Sequence, residues 1–168
     1  VKNNFGRFVI FVSLISFSTF IASPFFAVYM LKDLNLSYVS FTLINLSPLL
    51  ATFLFLPVWG KFSDKYGNVK ILKITSALIP TIPALWLLSP ILKSNNTALI
   101  ISLTAIELFS GFIWAGLNHA TANFIYDAVT SEKIAICVSY FNIFNSTSAF
   151  IGALIGGFLA SKVFTFLG

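Results

Sequence analysis

The charged residues of this sequence stand so far apart that they leave five apolar runs, each long enough to cross a bilayer. Phe8 to Leu31 carries no charge over 24 residues, Leu34 to Gly60 none over 27, and Ile74 to Leu92 none over 19. Ser94 to Tyr126 runs for 33 residues with only Glu107 inside it, and Ile134 to Ser161 runs for 28. A helix needs about 20 apolar residues to span the hydrocarbon core. Barrel strands are shorter and alternate in polarity, whereas these runs are continuous. The pattern predicts an all-α, polytopic transmembrane bundle of five membrane-spanning helices, over about 8–31, 38–59, 74–92, 97–126 and 134–161. Short polar connections are expected at Lys32–Ser37, Lys61–Lys73, Lys93–Asn96 and Asp127–Lys133, within a single transmembrane domain, 1–168.

Composition removes the other classes. Hydrophobic residues make up 58% of the chain, against ten Lys and Arg and five Asp and Glu. So few charges cannot cover the exterior of a soluble enzyme domain, and so much apolar surface does not stay disordered. Cys137 is the one cysteine, so no internal disulfide can form. The basic residues stand singly between apolar runs rather than on one face, which excludes a nucleic-acid partner. One His, one Cys and one intramembrane acid make no metal-ligand set, and no cofactor is implied.

The basic residues also set an orientation. Lys2, Arg7, Lys61, Lys65, Lys70, Lys73 and Lys133 fall on one side, seven in all, and Lys32, Lys93 and Lys162 on the other. The positive-inside rule then puts the N-terminal segment and the 61–73 and 127–133 connections in the cytoplasm of a multi-pass cell-membrane protein. Pro24, Pro48, Pro57, Pro80, Pro83 and Pro90 lie within spans. Membrane helices accept proline because neighbouring groups satisfy the freed carbonyls.

The connection after the second span is the most informative segment. Gly60 is expected to let the end of the helix pack closely, and Gly67 to supply a positive φ where the chain turns back. Asp64, an acid among bases, is expected to pair with Lys65 or Lys70, or to sit at a helix N-terminus. The segment resembles the signature loop of the major facilitator superfamily, which reads Gly-x-x-x-Asp, a basic residue, x, Gly, then two basic residues. Gly60, Asp64, Lys65 and Gly67 match it. Asn68 and Val69 stand in the two basic places, with Lys70 one position late.

The fifth run supports the same resemblance. Ser148, Gly152, Gly156 and Ala160 recur every four residues, with Ala149, Ala153, Gly157 and Ser161 as the adjacent ridge. Such a stripe admits another helix at close range. Gly152 to Gly157 is similar to the Gly-Pro-x-x-Gly-Gly pattern of the family's exchangers, with Ala153 in the proline place. Glu132 and Lys133 resemble the acidic-basic connection the family has before that helix. The resemblance implies five helices of one six-helix half, with a second six-helix half as partner. The degenerate basic end of the loop and the start at Val1 point to a fragment, from the second half of a longer transporter.

Glu107 is the one formal charge deep in a span, where an ionised acid costs about 3 kcal/mol or more. It is expected to face a cavity, find a partner or carry a proton. Gly111, Trp114, Asn118 and Ile125 share its helical face, which reads as cavity lining. The off-face His119 is expected to be hydrogen-bonded within the bundle. In the family the first and fourth helices of a half border the central cavity, which implies Ser16, Ser23, Glu107 and Asn118 as candidates. Most of the serines are expected to bond back to their own helix. The function implied is secondary transport of a small solute by alternating access, either as a symporter or antiporter with protons coupled through Glu107 or as a uniporter. Gly60, Asp64, Lys65 and Gly67 would be the switch loop, and Gly152, Gly156 and Gly157 the helix-packing glycines. The rival reading is a small polytopic assembly or interaction subunit, with the small-residue stripe as its docking surface. An intramembrane enzyme would need a second catalytic group near Glu107, and the sequence has none.

Overall fold

The computed structural model describes residues 2–167, with side chains from Asn4 to Lys162. Lys2, counted above for the orientation, lies outside the described side chains. Helix α1 (Lys2–Val28) continues into one π-helical turn, Tyr29–Asp33. Then follow α2 (Tyr38–Tyr66), α3 (Asn68–Leu78), α4 (Thr81–Trp86), α5 (Ser89–Leu92) and α6 (Asn96–Ala128). A 3-10 turn at Ser131–Lys133 leads into α7 (Ile134–Leu167). Five stretches are long and apolar enough to cross a membrane: Asn4–Asp33, Tyr38–Tyr66, Asn68–Leu92, Asn96–Ala128 and Ser131–Lys162. The chain is an all-α, multi-pass membrane protein, and among the described residues there is no strand. Its exterior is apolar, with Phe53, Leu54, Phe150 and Phe158 each more than 60% exposed. Lipid, unlike water, gives such surface no reason to be buried.

The prolines explain why the third span is jointed. Proline lacks the N–H that would reach the carbonyl four residues back. Beyond Pro80 the backbone tightens to bonds spanning three residues: Ile82 N–H donates to Ile79 O at 3.1 Å, and Leu88 N–H to Leu85 O at 3.1 Å. Two serines repair the gap that a following proline leaves. Ser47 Oγ donates to Ile44 O at 2.7 Å, the carbonyl Pro48 cannot reach. Ser89 Oγ donates to Trp86 O at 2.7 Å, the carbonyl lost to Pro90.

The chain divides into two compact units. One comprises Val1–Asp33 and Ile125–Gly168, the other Leu34–Phe124. In the first, α1 and α7 run parallel. Phe8 stacks on Phe141 with ring centroids 5.8 Å apart. Higher up, Ser16 Oγ donates to Asn145 Oδ1 at 2.6 Å. Gly152 then meets the Phe17 backbone, where a Cβ would lie 2.5 Å from its carbonyl oxygen, and Gly156 meets the Ile21 carbonyl in the same way. Partners advance together along both helices, as two helices separated by three crossings must.

In the second unit α6 packs parallel to α2 and antiparallel to the third span. Gly111 sits on the Pro48 backbone beside Ala51, and Gly116 under Trp59 and Thr75. Trp59 Nε1 donates to Phe112 O at 2.8 Å, and Phe55 meets Phe112 edge-on at 5.0 Å. At the far end of the third span, Trp86 reaches Glu107.

Candidate functional site

The signature segment folds without a loop. α2 is helical through Tyr66 and α3 begins at Asn68, so the connection read from sequence as Lys61–Lys73 is helical except for Gly67. Gly67 has φ 80° and ψ 155°, a conformation open essentially to glycine alone. Its N–H donates to Ser63 O at 2.8 Å and closes α2. Ser63 Oγ donates to Asn68 Oδ1 at 2.5 Å across the turn. Gly60 departs from expectation: it is half-buried, but an added Cβ would meet nothing within 4 Å. Asp64 is exposed and pairs with neither lysine among the described residues. Both amines lie instead against Tyr66, Lys65 Nζ at 5.1 Å and Lys70 Nζ at 4.3 Å from the ring centroid. An aromatic face attracts a cation without removing it from water, whereas a surface ion pair gains little.

Glu107 lies on α6, half-buried, and Trp86 Nε1 donates to its Oε1 at 3.2 Å. Trp86 is itself buried at the end of α4. The acid is thus tied to the jointed span by one hydrogen bond. The face it shares is not uniform. Gly111 is buried against α2 and Ile125 is buried, while Trp114 is half-buried and Asn118 exposed. His119 pairs along its own helix, with Nε2 3.0 Å from Asn123 Nδ2.

On α1, Ser16 is buried and committed to Asn145, whereas Ser23 is exposed. Ser18 and Thr19 bond back to Leu14 O and Ile15 O, each at 2.9 Å. On α7, Gly152 and Gly156 are backed by α1, but an added Cβ on Gly157 would meet nothing within 4 Å. That ridge turns away from the contact, with Ser161 exposed.

Sequence reasoning missed Gly116 and Trp86. The signal for Gly116 was present, since Gly111 and Ala115, and Gly116 and Ala120, are small pairs four apart. Trp86 carried none: nothing local says that its indole reaches an acid 21 residues on.

The family model described as Major Facilitator Superfamily matches residues 8–167. The "Probable galactarate/D-glucarate transporter GarP" of Escherichia coli (strain K12) is 27% identical over 145 residues, 84% of this chain and 32% of the relative. Its counterpart in Escherichia coli O157:H7 matches to the same extent. The chain therefore spans about a third of the length of these curated relatives. No solved structure matches the chain. A family match over almost the whole chain and five apolar spans lead to one conclusion: the chain belongs to the Major Facilitator Superfamily.

Proposed function

We propose that this chain is part of one six-helix half of a secondary transporter, which carries a small solute across the cell membrane by alternating access. The family match over residues 8–167 carries this reading. A second half of the same transporter supplies the other wall of the cavity, and bundle rocks against bundle around a site near the midplane. The basic asymmetry supports a cytoplasmic N-terminal segment. Gly60, Asp64, Lys65 and Gly67 form the switch segment on that side. The reading is favoured by a turn with no slack, which passes any movement of α2 directly to α3.

Glu107, Trp114 and Asn118 on α6 face the transport pathway in this reading, and on α1 Ser23 is a candidate of its own, whereas Ser16 is buried and bonded to Asn145. Glu107 is the coupling group. Its carboxyl, in a span and held by one indole N–H, is suited to gain and lose a proton as water reaches it from either side. The substrate class follows the named relative: sugar diacids such as galactarate and D-glucarate. Membrane vesicles containing the full-length protein should accumulate one of these against a gradient when a proton gradient is imposed, and adipate, a diacid of the same length without hydroxyls, poorly. Absence of saturable uptake of any diacid, with the protein folded in the membrane, would overturn the substrate class.

A further inference from the structure

Three Ser-Pro steps occur within spans, and one differs from the other two. At Ser47–Pro48 and Ser89–Pro90 the serine donates to the carbonyl that proline orphans. At Ser23–Pro24 the corresponding carbonyl is that of Phe20. Ser23 is exposed and makes no hydrogen bond among the described residues. This step therefore presents a free hydroxyl beside a carbonyl that has lost its helical donor.

Ser23 does not lie on the face of α1 that its exposure alone would suggest. Val9, Ser16, Ser23 and Met30 recur every seven residues, on one stripe of the helix. Val9 is 6% exposed, Ser16 9% and Met30 4%, with Val12 beside them at 5%. The stripe is covered by protein below and above Ser23 and open at Ser23. The opposite face carries the exposed Ile10, Leu14 and Ser18. Among the described residues this is an opening within an otherwise covered stripe, with an unpaired hydroxyl and a carbonyl without its helical donor, and it is polar.

We propose that the Ser23–Pro24 step is a subsite for a solute hydroxyl, which donates to the Phe20 carbonyl and exchanges a second hydrogen bond with Ser23 Oγ. A carbonyl only accepts and a serine both donates and accepts, so a hydroxyl group complements the pair. A desolvated metal cation needs six or more oxygens in most sites, and no acid lies within six residues of this pair along α1. The inference deepens the proposed transport function and rests on it for the identity of the solute.

The test uses the full-length protein in membrane vesicles, in a Cys137→Ser background. Ser23→Cys should react with a charged, water-soluble methanethiosulfonate. Ser16→Cys and Ser18→Cys should not, one being covered and the other facing lipid. Either hexarate named above should protect Ser23→Cys, and adipate should not. Ser23→Ala should raise by about three- to tenfold, the span of one hydrogen bond, the hexarate concentration that half-saturates binding to the same vesicles. Ser23→Cys labelling no faster than Ser16→Cys would overturn the subsite, as would equal protection by adipate or none by either hexarate. The transport reading fails separately: protection without uptake would sink transport and leave the subsite, and uptake without protection would do the reverse.

Discussion

Trp86 and Glu107 meet across two spans, with the indole Nε1 donating to the carboxyl Oε1 at 3.2 Å. The contact joins the short helix between Pro80 and Pro90 to the middle of α6. Glu107→Gln keeps an acceptor for the indole and cannot titrate. In the full-length protein it should fold, retain downhill exchange and lose proton-driven accumulation. Trp86→Phe should keep accumulation but move its pH profile, because the acid loses a donor. An unchanged pH-dependent accumulation in the Gln variant would leave Glu107 as interhelical glue.

Gly67 and Gly60 should part company. Gly67→Ala places a Cβ in open space, yet the backbone conformation is strained for it by about 1–3 kcal/mol. Gly67→Asn should give no rescue, since ψ 155° lies outside the left-handed region that asparagine tolerates. Gly60→Ala should be neutral or stabilising by up to about 1 kcal/mol, as it adds helix propensity without a clash. Thermal melts of the purified protein in detergent read all three.

The packing glycines divide in the same way. Gly116→Ala would set a Cβ 2.5 Å from Trp59 Cε2, and Gly152→Ala one 2.5 Å from Phe17 O. Each should cost about 1–3 kcal/mol through forced repacking. Gly157→Ala should be tolerated. Equal melting of the Gly157 and Gly152 variants would refute the α1–α7 arrangement.

Asp64→Asn should leave stability within about 0.5 kcal/mol, because the side chain is exposed and holds no partner among the described residues. If the acid latches one conformation of the full-length transporter, cysteine accessibility should shift between inward and outward patterns. Accessibility and transport equal to the parent would reduce Asp64 to an ordinary surface acid.

Orientation is checked by labelling. Ser63 is buried against Asn68, so the reporter on its side belongs at Lys65, which is exposed. Lys65→Cys and Ser94→Cys should label from opposite faces of the membrane. Labelling of Lys65→Cys from outside would overturn the positive-inside reading.

The spans were legible because a charge in lipid is costly enough to mark every boundary. Gly67 was legible because a reversal that tight leaves few residue types. The partner of each small residue was not, since Gly152, Gly156 and Gly157 look alike until the facing helix is known. Gly60 misled for the same reason. The Ser-Pro repairs could have been read: serine before proline at 47–48 and 89–90 puts a hydroxyl within reach of the lost carbonyl. That Ser23 declines this bond could not, because the dipeptide is the same.

The pairing of α1 with α7 has a cost in time. Ser16 and Asn145 are 129 residues apart in the chain. At about 5–20 residues per second of synthesis, α1 waits roughly 6–26 seconds for its glycine-faced neighbour. During that interval its Ser13, Ser16 and bare Phe17 and Ile21 backbone must be sheltered by lipid or by the insertion machinery. A nascent chain stalled before Asn145 should therefore crosslink from α1 to that machinery, and release it once α7 has entered the bilayer.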